Sequence, residues 1–269
     1  MANEKYEWLG LRDKIVVVTG AGGGIGRSIA INFAYAGAKL LLLDKCEADV
    51  EVTAKEVAAA SNTTMQVMGC DVSDPRSVAA AASALVSTLG SCDVLVNNAG
   101  VLRPGSLDTL PLDEWKSLLS VNLTGYFICA QMFGAQMREK GKGAMVHTAS
   151  IAASHPQGAS GAYSVSKAGA AMLSRQLALE WGPLGIRSNV VNPGLVETPM
   201  TRAFYEVPGV REKRNACIPL RRVAQPQDIA DAVLFLASER AEYVNGAEIT
   251  VDGGYTQTLM IAVPRPGYH

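Results

Sequence analysis

Short β-branched or leucine-rich runs alternate with longer segments of helical pattern along most of the chain. The runs predict seven strands, at 14–19, 39–44, 65–71, 92–97, 143–150, 185–192 and 247–252. Helical composition between them predicts a helix that carries Tyr163 and Lys167, and others at 28–36, 47–60, 75–89, 111–140 and 226–238. This alternation with short connections is typical of a parallel sheet with helices on both faces and right-handed crossovers. The sequence therefore predicts an α/β fold with a doubly wound parallel sheet of about seven strands.

No internal repeat or linker-like segment divides the 269 residues, so we expect one domain, 1–269, with its core at 14–254. Segment 198–216 follows the sixth strand and has no clear periodicity. Ligands of open α/β sheets lie beyond the carboxyl ends of the strands. This segment is therefore placed to act as a lid.

A glycine-rich turn links the first strand to the first helix, as Gly20-Ala-Gly-Gly-Gly-Ile-Gly26. Glycines allow a tight turn and close approach of backbone N–H groups to a pyrophosphate, and the helix N-terminus adds its positive dipole end. Asp44 ends the second strand, 18 residues beyond Gly26, where a dinucleotide-binding fold of the Rossmann type places the acid that binds ribose hydroxyls. Its charge would repel a 2′-phosphate, which favours NAD over NADP; the adjacent Lys45 weakens that preference slightly.

Composition excludes several classes of protein. Hydrophobic residues make up 48% and charged residues 18%, as in a globular domain, and the formal net charge of -1 disfavours nucleic-acid binding. Five cysteines without C-x-x-C spacing indicate reduced thiols, and no pattern has metal-ligand spacing. The first residues do not resemble a secretory signal, and no apolar run is long enough to cross a bilayer. We expect a cytoplasmic protein without membrane contact.

Tyr163 and Lys167 are four positions apart and lie one turn from each other on a helix. A phenol with a reference pKa of about 10 is a poor base at neutral pH, and a nearby cation favours its ionised form. Such a pair also occurs by chance on many helix surfaces, so its meaning depends on the rest of the chain.

This pair is one of six motifs that follow each other in a fixed order. They are Thr19-Gly20-Ala-Gly-Gly-Gly24-Ile-Gly26, Asn97 to Gly100, Asn122, Ser150, Tyr163 with Lys167, and Pro193-Gly194. In order and spacing they resemble the short-chain dehydrogenase/reductase family, of its classical type, from residue 14 to 254. No catalytic position departs from the family pattern.

The resemblance implies an NAD(H)-dependent enzyme that interconverts a secondary alcohol and a ketone. Tyr163 would be the general acid/base, and Lys167 would bind the nicotinamide ribose and favour the tyrosinate. Ser150 would orient and polarise the substrate oxygen, and Asn122 would anchor a proton-relay water. A homo-oligomer, most often a tetramer and alternatively a dimer, is also implied.

The expected binding residues cluster after the strand ends. Those expected to bind NAD are Gly20, Gly22, Gly24, Ile25, Gly26, Asp44, Asp71, Val72, Asn98, Ala99, Gly100, Tyr163, Lys167, Pro193, Gly194, Val196 and Thr198. Those expected to contact substrate are Ser150, Ala152, His155, Tyr163, Leu195, Phe204 and Tyr205.

Several alternatives remain open at this point. His147 is interpreted as a core histidine with a satisfied ring, whereas His155 is either a pocket residue or a plain loop residue. The largely apolar pocket candidates indicate a medium-sized apolar or cyclic alcohol. Arg103 and the basic lid residues Arg202, Arg211, Lys213 and Arg214 could recognise a carboxylate, but a solvated lid face is the favoured interpretation. Two other functions compete: a catalytically idle NAD-binding regulator, and an epimerase or dehydratase that uses fixed NAD.

Overall fold

The computed structural model describes residues 4–263 and 267, and within them a parallel sheet of seven strands forms the centre of the fold. The strands are β1 (Ile15–Thr19), β2 (Lys39–Asp44), β3 (Met65–Gly69), β4 (Val94–Asn97), β5 (Gly143–Thr148), β6 (Ile186–Pro193) and β7 (Glu248–Val251). Their order across the sheet is β3-β2-β1-β4-β5-β6-β7, and every neighbouring pair is parallel. The predicted fold class is confirmed, and each strand lies within two residues of its predicted bounds.

One short α-helix precedes β1, and the other described α-helices lie between the strands. They are α1 (Glu4–Glu7), α2 (Gly24–Tyr35), α3 (Glu47–Ala60), α4 (Pro75–Thr88), α5 (Leu112–Leu119), α6 (Gly125–Lys140), α7 (Tyr163–Trp181), α8 (Arg202–Tyr205), α9 (Val210–Cys217) and α10 (Pro226–Ala237). Asp74 caps α4 by accepting a hydrogen bond from the Arg76 N–H at 2.9 Å, and Pro75 occupies the first helical position. Both features follow from the residue types at this helix start.

Alternate residues of the central strands pack on opposite faces of the sheet. Val16 and Val18 belong to a core shared with α2, α3 and α10, whereas Val17 belongs to a second core shared with α4, α6 and α7. Strands covered on both faces need apolar residues at nearly every position, which explains the continuous runs in the sequence.

The helix predicted at 111–140 is interrupted by a π-helical turn, Ser120–Thr124, between α5 and α6. Asn122 lies in this turn, and its side chain makes hydrogen bonds to the backbone of Val101 on a different segment. Such single π turns are frequent at functional sites. The lid segment also differs from expectation, because it contains the short helices α8 and α9.

The run from α5 to α6, Leu112–Lys140, is long and apolar enough to cross a membrane by length and composition alone. Polar residues such as Ser120, Asn122 and Gln131 interrupt this run, so it is not the uninterrupted apolar run whose absence was expected. Half of the most apolar window is buried inside the fold, and Cys129, Phe133 and Met137 pack in the core beneath the sheet. Core helices of globular proteins have this composition when they are largely buried.

Candidate active site

A cavity of about 1280 Å³ opens at the carboxyl ends of the strands. The sheet order reverses between β1 and β4, and ligands of doubly wound sheets bind at such a switch point. Each of the first six strands delivers a lining residue at its end or within two positions after it, namely Gly20, Asp44, Asp71, Asn98, Ser150 and Gly194.

The backbone of the glycine turn after β1 lies very close to neighbouring backbone atoms. Gly20 has φ +65°, and a Cβ there would lie 2.7 Å from the Cα of Ala99. At Gly26 a Cβ would lie 2.0 Å from the carbonyl oxygen of Gly20. The Thr19 hydroxyl accepts hydrogen bonds from the backbone N–H groups of Asn98 and Ala99, at 3.0 and 3.1 Å, and so joins the turn after β1 to the turn after β4. Gly20 and Gly24 line the cavity, whereas Gly26 is needed for packing.

The carboxylate of Asp44 lies at the cavity wall at the end of β2. It accepts hydrogen bonds from the backbone N–H groups of Gly22, at 2.9 Å, and Cys46, at 3.1 Å. The next residue, Lys45, donates to Asp71 at 2.6 Å. Burial raises the pKa of Asp71, but hydrogen bonds from Lys45 and Ser73 outweigh it and lower that pKa to about 2. The charge of Lys45 is thus already paired with a carboxylate.

Lys167 is buried on α7 and lines the cavity. Its Nζ donates to the carbonyl oxygen of Thr148 at 2.8 Å and to the hydroxyl of Tyr126 at 3.3 Å. The Tyr126 hydroxyl in turn donates to the same carbonyl at 2.9 Å. Burial lowers the pKa of Lys167 to about 7, since no carboxylate compensates the lost hydration. The Nζ lies 5.8 Å from the ring centroid of Tyr163.

Burial raises the pKa of Tyr163, and a side-chain hydrogen bond with Ser150 opposes that shift. The direction is opposite to the one that the Tyr–Lys spacing alone predicts, because desolvation of the phenolate outweighs the other influences. Ser150 begins the turn after β5 and also accepts a hydrogen bond from the Ala152 N–H at 3.1 Å. The two hydroxyls therefore lie together at the cavity wall, where each can reach a substrate oxygen.

Asn122 lies behind the cavity rather than on its wall. Its side chain accepts from the Val101 N–H at 2.8 Å and donates to the Val101 carbonyl at 2.9 Å and the Ser166 hydroxyl at 3.1 Å. A Cβ on Gly100 would lie 3.5 Å from both the Asn122 Oδ1 and the Lys167 Nζ. Asn122 thus holds the segment after β4 against the lysine.

The two histidines named in the sequence differ in environment. His147 is fully buried, its Nδ1 lies 3.2 Å from the Asn97 amide nitrogen, and its Nε2 lies 3.1 Å from the Ser188 hydroxyl. Burial, with a smaller contribution from Lys167, lowers the pKa of His147 to about 3. It is a neutral core residue with a satisfied ring, as predicted. His155 is exposed and lines the cavity.

Most residues predicted for the site line this cavity. They are Gly20, Gly24, Ile25, Asp44, Asp71, Val72, Asn98, Ala99, Gly100, Ser150, Ala152, His155, Tyr163, Lys167, Pro193, Gly194, Leu195, Val196, Thr198 and Phe204. Gly22, Gly26, Asn122 and Tyr205 do not line it. The placement of Tyr205 in the substrate pocket is corrected, because its ring packs against the guanidinium groups of Arg211 and Arg214, at 5.0 and 4.8 Å.

Sequence reasoning missed three contributions to the site. Tyr126 contacts Lys167, but it is 41 positions away in the chain and carries no local signal. The α9 helix supplies Val210 and Cys217, whose spacing of seven residues is a helical signal that could have been found. The segment after β7 also lines the cavity, with residues between Tyr255 and Leu259.

Comparison with known proteins identifies the family. The family model described as Enoyl-(Acyl carrier protein) reductase, which represents short-chain dehydrogenase/reductases, matches residues 20–256. This chain belongs to the short-chain dehydrogenase/reductase family.

Individual relatives are dehydrogenases. D-threitol dehydrogenase of Mycolicibacterium smegmatis is 39% identical over 246 residues, which cover 91% of this chain and 94% of the relative. Cis-4-hydroxycyclohexanecarboxylate dehydrogenase of Sinomonas cyclohexanicum is 38% identical over 245 residues, covering 91% and 97%. A Beutenbergia cavernae protein assigned as an NAD(P)-dependent gluconate 5-dehydrogenase was solved with NADP at low occupancy; it has a TM-score of 0.86 and 35% identity, covering 92% and 98%.

The chain is therefore an oxidoreductase of the short-chain alcohol dehydrogenase type that uses a nicotinamide cofactor. The residues present fit such a cofactor. The glycine turn has no room for a Cβ at Gly20 or Gly26, and the carboxylate of Asp44 lies on the cavity wall at the switch point.

Proposed function

We propose that this short-chain dehydrogenase oxidises a secondary alcohol to a ketone with NAD, and catalyses the reverse reaction with NADH. The observation that carries the proposal is the group formed by Ser150, Tyr163 and Lys167 on the cavity wall. All three are within one cavity with the glycine turn, at the place where a doubly wound sheet binds its ligand.

The cofactor supplies hydride transfer, and the protein orients the carbonyl and moves one proton. Tyr163 takes the proton of the alcohol in oxidation and returns it to the alkoxide oxygen in reduction. Ser150 donates a hydrogen bond to that oxygen, where charge develops. Because Ser150 already contacts Tyr163, both groups can reach one substrate oxygen.

Lys167 supports the proton transfer through its charge. Its ammonium favours the tyrosinate and binds the nicotinamide ribose hydroxyls. Burial lowers the pKa of Lys167 to about 7, which brings it close to neutral pH, so the lysine can also pass a proton. Asn122, held next to Lys167 across Gly100, is the residue that anchors a relay water.

NAD is the proposed cofactor because of the charges around Asp44. The carboxylate faces the cavity with two backbone hydrogen bonds that hold it in place. A 2′-phosphate would be repelled there, and Lys45 is paired with Asp71 rather than free to attract it. We further propose that the chain is one catalytic domain with its core at 14–254, a lid at 198–216, a cytoplasmic location and a homotetrameric assembly.

The names of the relatives specify different alcohol substrates, including a sugar alcohol and a cyclic hydroxycarboxylate. The testing experiment is a panel of polyols, cyclic secondary alcohols and hydroxycarboxylates, incubated with NAD or NADP and followed by nicotinamide absorbance. We expect NADH formation with at least one class, and at least about tenfold higher kcat/KM with NAD than with NADP.

Other outcomes would identify the competing functions. Cofactor binding without turnover of any compound would favour a regulator. Conversion of substrate with no net change in the cofactor would favour an epimerase or dehydratase. A preference for NADP would show that Asp44 does not select the cofactor.

A further inference from the structure

The part of the cavity formed by residues 101–103, 151–157 and 195–217, which we call the lid side, has an uneven charge. Among the described residues lining it are Arg103, Lys213 and Arg214, and no carboxylate. The carboxylates that line the cavity, Asp44 and Asp71, follow β2 and β3, at the other side of the switch point. The whole chain has a net charge of only -1, so this excess of cations is local.

One face of α9 carries two of these cations. Val210, Lys213, Arg214 and Cys217 line the cavity, and their spacing of three, four and seven places them on one side of the helix. Arg211 does not line the cavity and forms two hydrogen bonds with Glu197, at 2.9 and 2.7 Å. The helix therefore pairs the cation that is off the cavity wall, whereas Lys213 and Arg214 form no ion pair with any residue that the structure describes.

Arg214 is held in place by aromatic rings instead of a carboxylate. Its guanidinium lies 5.1 Å from the ring centroid of Phe204 and 4.8 Å from that of Tyr205. A cation–π contact uses none of the N–H donors of the guanidinium, so they stay available to an anion. Among the residues that the structure describes, neither Arg214, Lys213 nor Arg103 forms an ion pair.

Arg103 lies next to the loop that leads to the candidate catalytic tyrosine. Gly105 forms a β-bridge with Ser160, and a Cβ on Gly161 would lie 3.2 Å from the Arg103 carbonyl oxygen. Its side chain donates a 3.3 Å hydrogen bond to the Ser117 hydroxyl, which leaves further donors of the guanidinium available. The cations of the lid side thus come from two separate segments that border one space.

We infer that the substrate is a hydroxycarboxylate: a secondary alcohol whose carboxylate is bound on the lid side, with Arg214 as its main partner. The inference rests on the proposed function, since the alcohol end is placed at Ser150 and Tyr163. The planar guanidinium fork matches a carboxylate with two hydrogen bonds. Leu102, Ile151 and Leu195 line the same cavity and suit an apolar or cyclic carbon skeleton. This interpretation replaces the expectation of a solvated lid face.

A binding experiment tests this without requiring turnover. Cyclohexanecarboxylate, which has no hydroxyl to oxidise, and its neutral isostere cyclohexanecarboxamide are titrated by calorimetry into the enzyme with NADH present. NADH affinity is measured separately. Arg214→Gln is the test variant, and Arg202→Gln, which removes a lid cation outside the cavity lining, is the matched control.

We expect the carboxylate to bind at least about tenfold more tightly than the carboxamide. In Arg214→Gln the affinity for the carboxylate should fall at least about tenfold, while the affinity for NADH stays unchanged. Arg202→Gln should behave as the unaltered protein. Equal affinity for the two compounds, or binding of neither, would overturn the inference. A loss of NADH affinity in Arg214→Gln with carboxylate affinity unchanged would also overturn it, because the cation would then serve the cofactor phosphates.

The two proposals can fail separately. If NADH does not bind but the carboxylate binds through Arg214, the proposed oxidoreduction with NAD fails and the anion site stands. If alcohols are oxidised with NAD but only neutral ones are substrates, the anion site fails and the proposed function stands.

Discussion

Replacing Lys167 by Met removes a buried ammonium that the fold holds at a cost in stability. The pKa of Lys167 is lowered from 10.5 to about 7 by burial, so the folded protein binds its proton less tightly than the unfolded chain does. The free energy of unfolding therefore rises with pH between about 7 and 10.5. Below pH 7 the full cost of burying the charged lysine applies. At about 1.4 kcal/mol per pKa unit, the penalty has an upper limit of about 5 kcal/mol.

Part of the stability gained by removing the buried ammonium is lost again in the Lys167→Met variant. Lys167 donates to the Thr148 carbonyl oxygen, and a hydrogen bond from a charged donor contributes about 1.5–3 kcal/mol. The carbonyl keeps its hydrogen bond from Tyr126, so it is not left unsatisfied. We expect Lys167→Met to be more stable than the unaltered protein by about 2 kcal/mol at pH 6–7, and to lose that advantage by about pH 10.

The assay is urea unfolding without cofactor, at one protein concentration, from pH 6 to 10. Lys116→Met, which removes an exposed lysine from α5, is the matched control and should show a difference that varies little with pH. A Lys167→Met variant that is less stable at every pH, or whose difference from the unaltered protein does not change with pH, would refute the reasoning. A retained, costly lysine is the expected signature of a residue kept for activity.

Three further substitutions test separate parts of the site. Asp44→Asn should raise kcat/KM with NADP relative to NAD by at least about tenfold, because the repulsive charge is gone; an unchanged ratio in steady-state kinetics would contradict it. Gly26→Ala should destabilise the fold by about 3 kcal/mol or more in urea unfolding, since its Cβ would lie 2.0 Å from the Gly20 carbonyl oxygen. Gly23→Ala, with 3.8 Å of clearance, should cost far less. Tyr126→Phe removes an acceptor of the Lys167 ammonium, so NMR titration of labelled lysine should show its pKa lower than in the unaltered protein, and an unchanged or higher value would count against that contact.

Local sequence was sufficient to predict the strands of the sheet and the turns that follow them. Runs such as Val16 to Val18 are apolar because both faces of the strand are covered, so the fold class could be read from them. The cap at Asp74 and the short turn at Gly20 depend only on neighbouring residues, and both were predictable from residue type.

Features that depend on distant segments could not be read in this way. The π turn around Asn122 accompanies hydrogen bonds to Val101, which the sequence does not bring together. The direction of the pKa shift at Tyr163 depends on burial, whereas spacing revealed only the neighbouring cation. The orientation of α9 decides which lid cations face the cavity. Sequence spacing predicts which residues share a face of that helix, but not which face is turned towards the cavity.

The most direct test of the central claim separates binding from chemistry at Tyr163. Tyr163→Phe removes one hydroxyl, and Tyr243→Phe, at an exposed tyrosine, is the control. Using the best alcohol from the substrate panel, single-turnover NADH formation and calorimetric NADH affinity are measured for both variants. We predict that Tyr163→Phe lowers the rate by about 10²–10⁴-fold with NADH affinity within about twofold of the unaltered protein, while Tyr243→Phe changes neither. A Tyr163→Phe variant that forms NADH at the unaltered rate would contradict the account.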